Sequence, residues 1–290
     1  MKPKIDLLYL SPNPYGGWVT FTAHLMLALR AVGLEPNLYK TRTWNGVPVQ
    51  RDERKSRSFG YGERHRNISI RTALRSTYPK LIVAAAKNFR SDTEMLLDAG
   101  AGLVVHDPTE LKNLPDDLPT SRIVVIRKVG LTMIPEATFI PHPYLRNADA
   151  TVEPGIKAIR AVSVSRIDFD KHTEIILTAN RLLPDDQKIQ IHGFENRLYT
   201  RFKICPAFPE WEQSKVKYPR DRDAAFKLLT EAQIMVDMSI IKNDGGGTQY
   251  TTLEAWDAGA IPVIHREWIR ENDAMSPGDN CLAVNGALEL

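Results

Sequence analysis

The segment from Asp244 to Ile264 carries the residues best suited to bind a ligand. It reads DGGGTQYTTLEAWDAGAIPVI, so three glycines and a threonine lie just before a predicted helix that contains Glu254. Peptide N–H groups at a helix N-terminus, approached through glycines, bind phosphate. A carboxylate further along the helix can accept hydrogen bonds from a ribose diol. The segment therefore predicts a nucleotide site, although glycine-rich turns before helices also occur in α/β proteins that bind no nucleotide.

A second segment, VSRIDFDKH, places two cations between a predicted strand and a predicted helix. These are Arg166 and Lys171, and from this position both could reach the oxygens of a diphosphate. A pair of surface cations without a ligand is the alternative that the spacing leaves open.

Two further candidates follow predicted strands in the first half of the chain. Gly16 and Gly17 come directly after the first strand, where glycines let a ligand approach the backbone and begin a helix with free N–H groups. His106 and Asp107 end a buried strand, and a polar pair at that point is better placed for function than for packing. For Asp107, capping of the next helix ahead of Pro108 is the favoured alternative.

The charge of the chain is uneven. Residues 1–150 contain 21 Lys and Arg against 14 Asp and Glu, whereas residues 151–290 contain 17 against 21. The basic excess is concentrated between residues 51 and 66, with two aromatic residues interleaved, and its candidate ligand-binding arginines are Arg54, Arg57, Arg64 and Arg66. Such a segment suits a polyanion, because arginines bind phosphates and aromatic rings stack on bases. A solvated, flexible loop is the alternative that composition alone favours.

Composition excludes several other classes of protein. The chain is 43% hydrophobic and 25% charged, which is ordinary for a soluble globular protein. No apolar run approaches the roughly 20 residues needed to span a bilayer. The N-terminus enters a strand-like run with no small-residue cleavage site, and there are only two cysteines, Cys205 and Cys281. We therefore expect a cytoplasmic protein without a disulfide framework, a cysteine-rich zinc site or membrane contact.

Strand and helix patterns alternate along the whole length, and the strands are nearly continuous apolar runs. This pattern predicts α/β domains with parallel sheets covered on both faces. A proline-bearing segment, residues 141–155, interrupts the alternation and predicts a linker. The chain thus divides into two Rossmann-like halves, residues 1–150 and 151–290. Ligands of such folds bind at the carboxyl ends of strands, and two facing halves would place the site in a cleft.

The motifs together resemble those of glycosyltransferases with the GT-B fold, in the retaining class typified by glycosyltransferase family 4. That family has a Gly-Gly loop after its first strand, matched by Gly16 and Gly17. Its second domain opens with an arginine followed five residues later by a lysine, matched by Arg166 and Lys171. Its C-terminal LEAMAxGxPVV pattern is matched by LEAWDAGAIPVI from Leu253 to Ile264. The resemblance covers nearly the full chain.

The resemblance implies a GT-B architecture, in which residues 1–150 bind the acceptor and residues 151–290 bind a nucleotide sugar, most readily a UDP-sugar. Arg166 and Lys171 would neutralise the diphosphate as it departs, and His106 would lie beside the sugar. Glu254 would hold the ribose. The phosphate would be held by the helix N-terminus with Thr251 and Thr252. Catalysis of this kind relies on preorganised charge and would require no metal or other cofactor.

The chain also departs from the family pattern. The family has an acid eight residues before the glutamate that corresponds to Glu254, and here that residue is Gly246. Asp244 could reach in from two residues away, or the sugar could be held by the backbone of the loop that includes Gly246, Gly247 and Thr248. A serine and a histidine, His172, replace the two glycines that flank the family's Arg–Lys motif.

Asp168 and Asp170 raise a different possibility for the same segment. They form an Asp-x-Asp motif, which in the other large glycosyltransferase fold holds a divalent cation on the diphosphate. Because the motif is short and overlaps the better-matched Arg166 and Lys171, we expect no metal site here.

A basic acceptor domain predicts an anionic acceptor. Phage glycosyltransferases that modify hydroxymethylated pyrimidines in DNA share the GT-B architecture and carry a Tyr-Thr pair before the Leu-Glu of the helix, as at Tyr250 and Thr251. The resemblance therefore implies DNA as the acceptor, in the host cytoplasm if the protein is phage-encoded. Two alternatives stay open: transfer to a small molecule or polysaccharide, and a nucleotide- or DNA-binding module without activity.

Overall fold

The structure is a computed structural model that describes residues 2–11, 16–41, 43–44, 47–48, 55–114, 117–146, 157–211, 216–217, 222–241, 246–269 and 274–290. The chain forms two compact units, Met1–Leu145 and Arg146–Leu290. Each contains its own sheet, built largely or wholly from parallel strands, and its own buried apolar residues.

The first unit is built on an eight-stranded sheet in the order β10-β9-β8-β7-β1-β2-β6-β5. Its strands, with the separate β3–β4 pair, are β1 (Lys4–Leu10), β2 (Glu35–Thr41), β3 (Thr43–Trp44), β4 (Val47–Pro48), β5 (Ser56–Gly60), β6 (Glu63–Ile68), β7 (Lys80–Ala85), β8 (Gly102–Val105), β9 (Ile123–Val125) and β10 (Thr138–Phe139). Its helices are α1 (Gly17–Ala31), α2 (Ile70–Arg75), α3 (Arg90–Asp98) and α4 (Gly130–Met133). Neighbouring strands pair in parallel except β5 with β6 and β3 with β4.

The apolar runs of the sequence form the centre of this sheet. Leu7, Leu8 and Leu10 in β1 are completely buried, as expected for a strand covered on both faces. Helix α1 follows β1 and ends at Ala31; two residues later Gly33 turns the chain, with a φ of 87° in the left-handed conformation that glycine adopts at low cost. Because β2 and β7 lie on opposite sides of β1, the chain order reverses there, which is where ligands of open α/β sheets bind.

The basic segment differs from the flexible loop that composition favours. From residue 56 onward it forms the β5–β6 hairpin at the edge of the sheet, with Tyr61 in the turn at a φ of 52°. Glu63, His65 and Asn67 face inward and are buried, whereas Arg64 and Arg66 are exposed. The alternation has the period of a strand, but the inward residues are polar, so hydrophobic periodicity does not reveal it.

The second unit contains a six-stranded parallel sheet in the order β13-β12-β11-β14-β15-β16. Its strands are β11 (Ile159–Val164), β12 (Gln190–Gly193), β13 (Val216–Lys217), β14 (Ala232–Asp237), β15 (Ile261–His265) and β16 (Leu282–Val284). Its helices are α5 (Thr173–Leu182), α6 (Arg197–Tyr199), α7 (Cys205–Ala207), α8 (Arg222–Glu231) and α9 (Tyr250–Asp257), with a π-helical turn at Thr200–Ile204. The order reverses at β11, which has β12 on one side and β14 on the other. Within the described ranges, no helix combines the length and apolarity of a membrane span.

Candidate functional site

Lys171 is the centre of the candidate site in the second unit. It ends a short helical turn, Phe169–Lys171, after the switch-point strand β11, and its side chain is buried. Its ammonium donates to Ser239 Oγ at 2.7 Å and to Gln249 Oε1 at 2.8 Å. No carboxylate of the described residues forms an ion pair with it. A buried cation held only by neutral oxygens is costly unless an anion completes its environment, so this position is suited to bind a phosphate group.

Asp237 connects this ammonium to helix α9. It is buried at the end of β14, accepts from the backbone N–H of Ser239 at 2.9 Å, and also accepts the Ser239 hydroxyl proton. Its other oxygen accepts from Thr251 Oγ1 at 3.4 Å. Because the Ser239 hydroxyl donates to Asp237, its lone pairs remain free to accept from Lys171. The structure thus brings two predicted residues, Lys171 and Thr251, into one network through two that the sequence does not indicate.

The glycine loop before α9 is fixed by Trp268. Gly246 and Gly247 have φ values of 69° and 103°, which glycine alone adopts easily. The N–H of Gly247 donates to the Trp268 carbonyl at 3.2 Å, and the indole Nε1 of Trp268 donates to the Gly247 carbonyl at 2.6 Å. Trp268 is itself buried. It therefore positions the loop, and nothing in its local sequence signals that role.

The remaining predicted donor residues lie around the start of α9. Gln249 is its N-cap residue, and its carbonyl accepts from Thr252 N at 3.1 Å, which closes the first turn. Thr248 and Thr252 are buried, whereas Thr251 and Glu254 are partly exposed. Since Thr252 is almost completely covered, Thr251 is the better placed of the pair to meet a ligand. The predicted Asp244 lies outside the described residues.

Arg166 differs from Lys171 in exposure and in partners. Its side chain is 52% exposed, and its guanidinium donates to Asp168 at 3.0 Å and to Asp170 at 2.7 Å. Asp168 also accepts from the backbone N–H of Phe169 and from Asn196 Nδ2, both at 2.8 Å. The Asp-x-Asp pair is thus engaged with an arginine. Among the residues that the structure describes, no cluster of His, Cys, Asp and Glu side chains could hold a metal ion.

In the first unit, Gly16 and Gly17 form the start of α1. Gly16 has a φ of 79°, and its carbonyl accepts the first helical hydrogen bond, from Val19 N at 3.0 Å. A Cβ built on either glycine would meet no atom within 4 Å. The space beside both glycines is therefore open, as the approach of a ligand to this backbone requires.

His106 is buried at the end of β8 and is fixed by several contacts. Its Nε2 lies 2.8 Å from the Val83 carbonyl, and because a carbonyl only accepts, Nε2 carries the proton. The Phe21 ring meets the imidazole edge-on at 4.6 Å. Burial lowers the pKa of His106 to about 4. The ring is therefore neutral near pH 7, with Nδ1 in the acceptor form.

Glu110 lies beside His106 and is not among the predicted site residues. One carboxyl oxygen accepts from Trp18 Nε1 at 2.6 Å, and the other accepts from the backbone N–H of His106 at 2.8 Å. Burial, followed by the charge of Asp107, raises the pKa of Glu110 to about 8. Asp107 itself caps the turn that begins at Pro108, which agrees with the capping alternative. Glu110 thus links the first turn of α1 to the end of β8 through a carboxyl group that is protonated at neutral pH.

The structure places the predicted acceptor-binding arginines that it describes on two opposite faces of the β5–β6 hairpin. Arg64 and Arg66 lie on the exposed face of β6, where Arg64 donates to Ser56 and Arg66 donates to Tyr39 Oη at 3.2 Å. Arg57 is paired with the inward-facing His65, so it belongs to the opposite face of the hairpin. Arg54 lies outside the described residues.

The aromatic residues of the basic segment are also fixed in place. Phe59 is buried and packs edge-on against Tyr9 at 4.9 Å. The expectation that its ring is available to stack on bases is therefore wrong. The hydroxyl of Tyr61 accepts from Thr20 Oγ1 at 3.0 Å, which ties the hairpin turn to α1.

Comparison with known proteins identifies the fold. No protein-family model matches the chain, and no curated protein is similar to it in sequence. Among solved structures, an alpha-glucosyltransferase in complex with UDP and a 13-mer DNA is similar with a TM-score of 0.66 and 14% identity, covering 96% of this chain and 83% of that one. HepE from Anabaena in complex with UDP is similar with a TM-score of 0.61 and 11% identity, covering 98% and 86%.

A third similar structure is the pneumococcal O-GlcNAc transferase GtfA in complex with UDP and GlcNAc, with a TM-score of 0.57, 10% identity and coverage of 91% and 84%. The fold of this chain is therefore the GT-B fold of glycosyltransferases, which confirms the predicted fold class. At sequence identities of 10% to 14%, the structural similarity establishes the fold alone.

Proposed function

We propose that this protein is a retaining glycosyltransferase that moves a sugar from a UDP-sugar to an acceptor hydroxyl, namely that of a hydroxymethylated base in DNA. The observation that carries the proposal is the buried ammonium of Lys171, which lies at the start of α9 on two neutral oxygens. The N-terminus of α9 adds a positive partial charge to the same place. This arrangement suits a diphosphate whose negative charge grows as the sugar leaves.

The other donor residues take roles consistent with their positions. Arg166 binds a second oxygen of the diphosphate, and Thr251, Thr248 and the backbone of Gly246 and Gly247 bind the remaining ones. Glu254, in the first turns of α9, binds the ribose. Because cations and N–H groups of the protein supply the positive charge, the proposed reaction requires no metal and no cofactor beyond the nucleotide sugar.

For the first unit, we propose that it binds the acceptor while the second unit binds the donor. His106 contributes a neutral Nδ1 acceptor, suited to a sugar or acceptor hydroxyl. Arg64 and Arg66 present two cations on the exposed face of β6, suited to DNA phosphates. Solved alpha-glucosyltransferases of this fold hold UDP together with DNA, in two cases DNA containing an HMU base. The reaction would take place in the cytoplasm, that of the host if the protein is phage-encoded.

Mass spectrometry of a hydroxymethylated duplex, incubated with the protein and a panel of nucleotide sugars, tests the proposal directly. We expect the mass of the oligonucleotide to rise by one glycosyl unit with a UDP-sugar. Lys171→Met should lower kcat/KM by about 100-fold or more, the usual effect of removing one group that stabilises developing charge. Lys188→Met, which removes an exposed lysine of the same unit, is the matched control. Undiminished transfer by Lys171→Met would contradict the assignment.

A separate measurement tests the acceptor-binding arginines. In the Arg64→Gln/Arg66→Gln double variant, the slope of log affinity for duplex DNA against log salt should become shallower by about 2, since each lost phosphate contact changes it by about 0.9. The Lys2→Gln/Lys4→Gln double variant removes the same charge at the amino ends of the strands and should leave the slope unchanged. Equal slopes in the two double variants would show that the hairpin does not contact DNA.

Transfer to a small molecule or polysaccharide is the second candidate function. HepE in complex with UDP-glucose and GtfA in complex with GlcNAc have folds nearly as similar as the DNA-bound enzyme, with TM-scores of 0.61 and 0.57. If this candidate is correct, UDP is released from a UDP-sugar in the presence of such an acceptor, while DNA neither binds in a salt-dependent way nor gains mass.

A further inference from the structure

An exposed apolar surface lies on the second unit, beside the turn that carries Lys171. Three large side chains in it are between 51% and 66% exposed, namely Phe169, Leu198 and Phe202. We call these three residues the apolar patch. Isolated exposed apolar residues are ordinary on protein surfaces, whereas a cluster of them marks a binding surface.

The patch is organised by one short helical segment. Helix α6 continues through the π-helical turn Thr200–Ile204 into α7, and π-turns of this kind occur frequently at functional sites. Leu198 and Phe202 are four residues apart on this segment, so they lie on the same face. The ring of Phe169 packs edge-on against Tyr199 at 5.0 Å, which brings it to the same segment.

Two arginines accompany the apolar side chains. Arg197 and Arg201 are exposed and four residues apart, and neither forms an ion pair with any residue that the structure describes. The guanidinium of Arg201 lies 5.3 Å from the centre of the Phe202 ring. The nearby Lys203, by contrast, is paired with Glu174 at 2.7 Å. Although residues 151–290 carry a net negative charge, this surface combines two exposed arginines with aromatic rings.

We propose that the apolar patch, with Arg197 and Arg201, binds a nucleic-acid strand whose bases are unpaired. Exposed rings offer faces on which bases stack, and adjacent guanidinium groups bind the phosphates of the same strand. A paired duplex offers no base faces along its length, so the patch selects unpaired nucleotides. The proposal rests on the proposed DNA acceptor and extends its contacts to the second unit.

The geometry fits a lipid surface less well. An amphipathic helix that lies in a membrane interface buries a long apolar face. The helical segment here, residues 197–207, presents only Leu198 and Phe202 among its exposed large hydrophobic side chains. The exposed rings of the patch, flanked by Arg197 and Arg201, are instead suited to bind a short stretch of nucleotides.

Fluorescence anisotropy with a fluorescein-labelled single-stranded oligonucleotide, and with the same sequence as a duplex, tests the proposal. For the single strand, Phe202→Ala should weaken binding about fivefold or more, because one stacked base contributes about 1 to 3 kcal/mol. Arg197→Gln/Arg201→Gln should make its salt slope shallower by about 1.4, at about 0.7 per phosphate. The controls are Leu182→Ala, which removes a leucine of similar exposure (60%) on α5, and Arg160→Gln, an exposed arginine at the start of β11.

The outcomes separate this inference from the proposed function. If the two patch variants lose affinity for the single strand while both controls keep it, the inference stands. If DNA binds and is glycosylated but the patch variants match the controls, the patch is not a nucleic-acid surface and the proposed function is unaffected. If the wild-type protein binds vesicles of anionic lipid and no oligonucleotide, the inference and the DNA acceptor both fail.

Discussion

Replacing Asp170 by asparagine should tighten the binding of UDP. The guanidinium of Arg166 is held by Asp168 at 3.0 Å and by Asp170 at 2.7 Å, so two carboxylates more than offset its positive charge. A diphosphate that binds Arg166 must displace one carboxylate or tolerate both nearby. Asparagine keeps the shape and a hydrogen-bond acceptor for Arg166, but it removes the negative charge that opposes the diphosphate.

The size of the effect follows from distance and exposure. Two unit charges 4 Å apart interact by about 1 kcal/mol in water and by about 4 kcal/mol at an effective dielectric constant of 20. The Asp170 side chain is 24% exposed and the Arg166 side chain 52%, so solvent screens the interaction substantially. A phosphate oxygen on the far side of the guanidinium lies beyond 4 Å from the carboxylate. We therefore expect about 1 kcal/mol, which is about a fivefold decrease in the Kd for UDP.

Isothermal titration calorimetry with UDP, in strong chelator and again in Mg²⁺, measures this Kd. Asp185→Asn is the matched control, because Asp185 is an exposed acid of the same unit that is paired with Lys188 at 2.5 Å. The control should bind UDP as the wild type does. The opposite result would be that Asp170→Asn binds UDP more weakly than the wild type in Mg²⁺ but not in chelator. In that case Asp168 and Asp170 hold a metal ion, and the electrostatic reasoning is wrong.

Two further predictions concern stability. Because the pKa of Glu110 is raised to about 8 from an ordinary value of 4.5, the folded protein holds a proton that the unfolded chain has released. Glu110 should therefore lower the free energy of unfolding by up to about 1 kcal/mol per pH unit between pH 6.5 and 8, measured as the difference from Glu110→Gln, because the histidines titrate in both proteins. Urea unfolding of Glu110→Gln, whose single amide oxygen can accept from only one of Trp18 and His106, should remove this slope, and an unchanged slope would contradict the assignment. His172 adopts the left-handed conformation with a φ of 46°, which costs a non-glycine residue about 1 to 2 kcal/mol. Glycine regains about 0.5 to 1 kcal/mol of freedom in the unfolded chain, so His172→Gly should stabilise the protein by about 0.5 to 1 kcal/mol in thermal unfolding. His172→Ala keeps the strained conformation and loses the 3.3 Å contact with Glu174, so a gain in that variant would refute the explanation.

The fold could be predicted from the sequence wherever strands are buried on both faces. The sequence predicts a strand over Ile159–Val164, and the structure has this strand with the same bounds. The β5–β6 hairpin could not be predicted, because its inward positions hold Glu63, His65 and Asn67 instead of aliphatic residues. Glu63 is accommodated there by a bidentate ion pair with Arg30, at 2.5 and 2.8 Å, and that partner is 33 residues away in the sequence.

In the candidate site, too, local sequence pattern predicts some residues and not others. Lys171 and the helix that contains Glu254 can be identified from spacing, because each lies next to the strand that positions it. The partners that hold them cannot be identified from spacing, because Ser239 is 68 residues from Lys171 and Trp268 is 21 residues from Gly247. Both are ordinary residues in their own segments, and only the packing of β14, β15 and α9 gives them a role.

The two cations of the motif are physically different, although their spacing presents them as a pair. Lys171 ends a tight turn, and its buried ammonium donates to Ser239 and Gln249, so its position is set before a ligand arrives. Arg166 precedes that turn, stays half exposed and is held by two carboxylates. A preorganised charge stabilises a departing diphosphate without a reorganisation cost. A charge that must first leave its own carboxylate partners stabilises the diphosphate less, because separating it from those partners costs free energy. Lys171 should therefore contribute mainly to kcat and Arg166 mainly to the affinity for the donor, so substitutions at the two positions should separate in kinetics even though a single motif encodes both.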